Sequence, residues 1–341
     1  KQIQSFSGSE LFASSLDSLN LGTANTQKNS DITLEEFYSQ FKEDKITGGH
    51  WSEDTLKDYE AIFNTMIDIL GNKPISSYLL QDAETFSRIV RRLPKNRNKN
   101  AIYRELTLDA VLKLNPEPMS KANINKYIRR AAEIMNTALE KGLIKQNFFS
   151  SKSLRVMELQ HAKDKRNPFT RNELSKLFSS DIFANPTTDN ATYYWTLLLL
   201  LHTGCRLNEI CQLHLADIQE KDGIYVISLN MDTEDKSFKT KNTKTGTHIR
   251  DIPIHDTLVD LGFLDYVDYL KKKNRIDING HARLFPDLKY SANGKYGRKL
   301  STWFSSGPKG KTYKELAGLK HLRNGDKVLH SFRHTFATEL K

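Results

Sequence analysis

The chain is short of several things. Among its 341 residues only Cys205 and Cys211 are cysteines, which excludes a small secreted scaffold built on disulfides and favours a reducing cytoplasm. Long apolar runs are also missing: the longest, Leu197 to Leu201, falls far short of the roughly 18 residues that a membrane span needs. No membrane partner is expected, and no secretory segment is visible. Acid is scarce as well. Lys and Arg number 51 against 41 Asp and Glu, a net charge of +10, which hints at a polyanionic partner.

The shortage of acid is local. From Arg88 to Arg104 the chain carries Arg88, Arg91, Arg92, Lys95, Arg97, Lys99 and Arg104 with no Asp or Glu. From Lys236 to Arg250 it carries Lys236, Lys239, Lys241, Lys244 and Arg250, again without an acid. One such run is ordinarily a solvated face, but several in one chain point to phosphate binding. What remains is ordinary: 38% hydrophobic and 27% charged residues suit a soluble globular protein of about two domains. The letters His202-x2-Cys205-x5-Cys211-x2-His214 suggest zinc. On one helix, however, Cys211 is rotated about 240° from Cys205, so no metal is expected and both thiols are read as small core residues.

Residues 1–30, rich in Ser, Asn, Thr and Gly and opening on Lys1 rather than Met, read as a flexible lead-in or the remnant of an upstream module. Residues 31–148 are predicted to be all-α. One helix starts near Asp31 or Thr33, and a second opens at Trp51–Thr55 and closes at Gly71. Segments 81–93, 103–114 and 120–141 follow. The last carries Lys121, Lys126, Arg129 and Arg130 on its polar side. Residues 149–167 read as a basic linker that includes Lys165 and Arg166. A second domain, 168–341, restarts with a Thr170–Glu173 capping box. Helices are predicted at 190–202, broken by Thr203-Gly204, and from Arg206 to about Leu213. The period then changes to two, and strands at 224–229 and 248–254 flank a Lys/Thr-rich loop. Helices resume near 256–273 and 297–305, and the last begins at His330. The fold class is mainly α with a small antiparallel sheet.

A few residues carry chemistry. Arg206 opens a helix, where it can reach an anion, and Glu209 three residues on can hold its guanidinium. Lys244, between the two strands, can enter a DNA groove and deliver a proton. His330 and Arg333 share a helical face, pairing a proton carrier with a bidentate phosphate grip.

Thr203-Gly204-Cys205-Arg206-Leu207-Asn208-Glu209-Ile210, then Lys244-Thr245-Gly246 ahead of Ile252-Pro253-Ile254, then His330-Ser331-Phe332-Arg333-His334-Thr335-Phe336-Ala337-Thr338 resemble, in order and spacing, the boxes of the tyrosine recombinase (phage integrase) family. Leu284-Phe285-Pro286 fits too, and the resemblance covers about residues 31–341. It implies an all-α core-binding domain over 31–148, a catalytic domain over 168–341, and site-specific strand exchange through a 3′-phosphotyrosine without metal, ATP or other cofactor. It assigns Arg206 and Arg333 to the nonbridging phosphate oxygens, Lys244 to the leaving 5′-oxygen and His330 to proton transfer. Glu209 would orient Arg206, and His334 would pack and hydrogen-bond. Phosphate contacts are expected from Arg88, Arg91, Arg92, Lys95, Arg97, Lys99, Lys121, Lys126, Arg129, Arg130, Lys165, Arg166, Lys239 and Lys241.

The implied partners are double-stranded recombination sites, further copies forming a tetramer on DNA, and host or phage DNA-bending factors, in the cytoplasm or nucleoid. The family also expects a second His or Trp and then a nucleophilic Tyr beyond Arg333, whereas no Tyr follows Tyr313. The fragment is therefore expected to bind DNA without cleaving it. Alternatives are a Xer-like resolvase, made less apt by the Lys/Asn-rich stretch at about 274–327, or a non-catalytic DNA-binding relative acting as regulator or accessory factor. A helical protein-interaction scaffold is a third class.

Overall fold

The computed structural model describes residues 32–157, 167–231, 241, 249–278, 280–291, 295–307, 312–319 and 327–339. Contacts divide the chain into two compact units, residues 1–159 and 160–341.

The described part of the first unit is helical: α1 (Leu34–Thr47), α2 (Glu53–Leu70), α3 (Leu80–Val90), α4 (Leu108–Lys113) and α5 (Lys121–Glu140). Capping sets where these begin. The Thr33 hydroxyl accepts from the Glu36 N–H while the Glu36 carboxylate accepts from the Thr33 N–H, and Ser52, Thr107 and Ser120 cap their helices in the simpler way. Leu34, Phe37, Phe41, Phe63, Met66, Phe86, Ile128 and Met135 form the core. The unit runs further than the expected boundary at 148. Phe149 and Leu154 are buried in this core, and the Asn125 amide clamps both the N–H and the C=O of Val156. The polar composition of 149–156 had suggested linker, but two apolar anchors suffice to fold it onto the helices.

The second unit has α6 (Arg171–Phe178), α7 (Asp181–Ala184), α8 (Ala191–Thr203) and α9 (Leu207–Cys211). A sheet of β1 (Ile218–Lys221), β2 (Ile224–Leu229) and β3 (Arg250–Pro253) follows. Then come α10 (Asp256–Asp260), α11 (Phe263–Lys272), α12 (Arg298–Ser301), α13 (Tyr313–Leu316) and α14 (His330–Glu339). The sheet is antiparallel in the order β1-β2-β3, with Ile227 opposite both Ile218 and Ile252. α8 is buried on nearly every side, because α7, α9, α10 and α14 pack on it and Leu177, Ile210, Phe263 and Phe332 share its core. The helix expected across 256–273 is two, parted at Leu261-Gly262, where Gly262 adopts φ +85°. Beyond α12 the chain widens into a π turn at Thr302–Ser306.

Among the described residues no helix is long and apolar enough to cross a membrane. Both cysteines are buried.

Candidate active site

The site is built where α8 ends. Thr203 is the last helical residue, its hydroxyl donating to the Leu199 carbonyl and accepting from the Cys205 N–H. Gly204 then turns with φ +59°, and a Cβ there would overlap the ring of Phe336 on α14. Two separate demands for glycine therefore meet at one residue. Gly204→Ala is expected to lower stability by at least about 2 kcal/mol, combining the left-handed backbone cost with overpacking. In a Phe336→Ala background the same change should cost only the backbone part, a difference readable by urea denaturation.

The turn delivers Arg206 to the N-cap of α9. Its backbone N–H donates to Glu209 Oε2 at 2.9 Å and its Nη1 to Oε1 at 2.7 Å. Glu209 is buried, with 7% of its side chain exposed against 37% for Arg206. The carboxylate thus anchors a guanidinium that still reaches solvent. Burial pushes the Glu209 carboxyl up, but the Arg206 N–H and guanidinium and the Arg250 charge outweigh it and leave the group below the usual carboxylate range. The other end of α9 is held by Arg283, fully buried, whose guanidinium donates to the Cys211 carbonyl and stacks 3.4 Å from the centroid of the Tyr296 ring.

α14 brings the second box to the same turn. Phe332 fills the core beneath it. The Thr335 hydroxyl donates to the Ser331 carbonyl and accepts from the Phe169 N–H at 2.8 Å. Arg333, half-buried, donates from Nη1 to the Gly204 carbonyl at 2.6 Å. The two arginine boxes, some 130 residues apart in sequence, are therefore joined by a direct hydrogen bond. His330 is exposed at the start of the helix, and its ring lies 4.8 Å from that of His334 in an edge-to-face arrangement.

A third arginine enters from β3. Arg250 Nη2 lies 3.3 Å from Glu209 Oε2 and 3.8 Å from Cys205 Sγ. Sequence reasoning missed it as a site residue. The signal was the alternation of β3, which puts Arg250 on the face of Ile252 and Asp251 on the opposite one. Lys244 and Lys239 lie outside the described residues, as do Lys165 and Arg166.

The expectation that Lys241 contacts phosphate is corrected. Its side chain is 3% exposed, and its Nζ donates to Asp217 Oδ1 at 2.7 Å and Asn230 Oδ1 at 2.8 Å. The acid-free run hid its partner, because Asp217 is supplied from the turn before β1 rather than from the neighbouring sequence. Tyr313, too early for a nucleophile by order, is structural: its buried hydroxyl donates to the Leu177 carbonyl at 2.6 Å, and burial raises it to about 12.

Of the basic residues in the first unit, Arg88, Arg91, Arg92, Lys95, Lys99, Lys121 and Arg129 are exposed. Arg97, Lys126 and Arg130 are shielded further and paired with Asp68, Asp58 and Glu133. Arg130 also stacks on Tyr59. Among the described residues no group of three His, Cys, Asp or Glu side chains is placed to hold a metal.

The sequence profile of the phage integrase family matches residues 168–341, just over half of the chain. Among solved structures, a fragment of the transposon Tn1549 integrase in complex with transposon right end DNA has a TM-score of 0.60 at 21% identity, covering 91% of this chain and 86% of that one. A lambda integrase tetramer bound to a Holliday junction has a TM-score of 0.52 at 15% identity, covering 96% of this chain and 80% of that one. At these identities the likeness is one of fold. No curated protein sequence matches the chain at a significant level. With the profile spanning the unit in which both arginine boxes meet, the chain belongs to the phage integrase family of tyrosine recombinases.

Proposed function

We propose that this protein is a site-specific DNA recombinase that cuts and rejoins duplex DNA through a 3′-phosphotyrosine, integrating or excising a phage or other mobile element. The observation that carries the reading is the Arg333–Gly204 hydrogen bond, which sets the Arg333 guanidinium beside the turn that presents Arg206. The scissile phosphodiester gains negative charge on its nonbridging oxygens as the phosphorus becomes pentacoordinate. Two guanidinium groups held before the substrate arrives stabilise that charge with little reorganisation. His330, at the exposed end of α14, hydrogen-bonds the phosphate and moves a proton, with His334 packed against its ring. Lys244 protonates the departing 5′-oxygen. Glu209 fixes Arg206.

Duplex DNA is the partner, and the exposed set Arg88, Arg91, Arg92, Lys95, Lys99, Lys121 and Arg129 supplies phosphate contacts in the first unit. The DNA complexes of the Tn1549 and lambda integrases support this partner, and the lambda tetramer on a Holliday junction supports assembly of four copies on DNA. Host or phage DNA-bending factors would assist the assembly.

A salt titration of duplex affinity tests the binding half. Several phosphate contacts predict a loss of about 100-fold or more between roughly 50 and 200 mM salt. Charge reversal at Arg88, Arg92 and Arg129 should flatten that dependence. A salt-insensitive affinity, or none, would overturn the reading and favour a protein-interaction scaffold.

A further inference from the structure

The Glu209 carboxylate is saturated in an unusual way. Oε1 takes the Arg206 guanidinium, while Oε2 takes both the Arg206 N–H and the Arg250 guanidinium. Arg250 comes from a different element, β3, where its register opposite Leu229 and the partly buried Ile252 on the same face, packed against the core, direct it inward. Its charge and that of Arg333 both act on the Cys205 thiol between the two arginine boxes. One buried carboxylate is thus set against two guanidinium groups.

That arithmetic matters because an isolated Glu209–Arg206 pair would spend much of the Arg206 charge on its own carboxylate. A second cation on Oε2 draws part of the carboxylate's field away from Arg206 and fixes the plane in which Oε1 faces it. The cluster then keeps a surplus of positive charge at the surface where Arg206 emerges.

We propose that Arg250 is a positioning residue of the phosphate site, setting through Glu209 both the orientation of the Arg206 guanidinium and the charge it keeps for a phosphodiester. The proposal rests on the recombinase reading for the identity of the ligand, but not for the contact with Glu209. Arg250 acts through the carboxylate and does not itself touch DNA.

The test uses the whole chain with Arg250→Met, which keeps the aliphatic stem, and Arg250→Lys, which restores the charge. Two quantities are measured: the titration midpoint of the Glu209 carboxyl by carbon-13 NMR without DNA, and affinity for a duplex oligonucleotide across a salt series. The midpoint is expected to rise in Arg250→Met and to return part of the way in Arg250→Lys. Duplex affinity should fall by no more than about threefold in Arg250→Met, because other cations carry most of it, with the salt slope unchanged. A Glu209 midpoint equal to that of the unsubstituted chain in both variants would overturn the proposal. So would a salt slope reduced by about 0.9, the signature of a lost direct phosphate contact. If Arg250→Met does not fold, the Lys variant alone decides by the same two readings. Failure of the unsubstituted chain to bind DNA would instead count against the recombinase reading, because the carboxyl titration needs no DNA.

Discussion

Replacing Arg333 by alanine, in a form of the protein that carries its nucleophilic tyrosine, is expected to slow covalent attachment to DNA by roughly 10²–10³-fold or more. Most of the duplex affinity should survive. The expectation follows from where Arg333 sits. Its guanidinium is tied by one nitrogen to the Gly204 carbonyl, so it is fixed before substrate arrives, and in the proposed mechanism its remaining donors meet the phosphate. Affinity is spread over many other cations, each a small part of the total, whereas the charge that develops in the transition state is met at this one place. Arg206→Ala should behave alike and should in addition leave the buried Glu209 carboxylate paired with Arg250. A covalent yield from a cleavable duplex that either substitution leaves unchanged would refute the site assignment.

The second large effect concerns stability. Lys241→Met should destabilise the fold by about 3–5 kcal/mol, because it strands the Asp217 carboxylate in an interior where the lysine had been its counter-ion. Asp217 also accepts from the His214 N–H and the Asn230 amide, which lessens the penalty but cannot neutralise a charge. Adding Asp217→Asn to Lys241→Met removes the charge and keeps one of the two acceptor contacts, since an amide has a single oxygen, so the double variant should recover part of the loss in urea denaturation. Independent, additive losses would show that the two side chains do not act as a pair.

The same region makes stability sensitive to acid. Burial, with the nearby Lys241 charge adding to it, pushes the His214 imidazole down from its ordinary 6.5 to about 4. In the unfolded chain this group takes up its proton near pH 6.5, and in the folded chain only near pH 4. The unfolded state therefore binds more protons between those values. The contribution is fully present above about pH 6.5 and is lost as the pH falls towards 4.

Much of the architecture was legible because local chemistry and tertiary packing agree. Thr33, Ser52, Ser120 and Thr170 each cap the helix that follows, and Gly71 and Gly204 end helices with positive φ. The two arginine boxes were readable as sequence, and the fold brings them together at Gly204. What escaped reading depended on distant partners or on weak local pattern. β1, Ile-Gln-Glu-Lys, is a short, mostly polar edge strand without an apolar alternation, although Asp222-Gly223, both at positive φ, is a hairpin turn signal. α7 and α13 are four residues each, too short for any period to show. The run from Lys236 to Arg250 looked uniform, yet its described members diverge. Lys241 is buried against Asp217, and Arg250 turns to Glu209. Charge counting cannot separate a phosphate contact from an ion pair whose acid lies elsewhere in the chain.

The central claim is that the Arg206–Arg333 site activates a phosphodiester for attack by a tyrosine. It is tested most directly by trapping a form that carries the nucleophilic tyrosine on a nicked duplex with its recombination site and identifying the linkage by mass spectrometry. The account predicts a tyrosine joined to a 3′-phosphate with a free 5′-hydroxyl on the released strand, formed in a metal chelator and absent from Arg206→Ala and Arg333→Ala. A 5′-linked adduct, or a 3′-linked one that persists in both alanine variants, would contradict it.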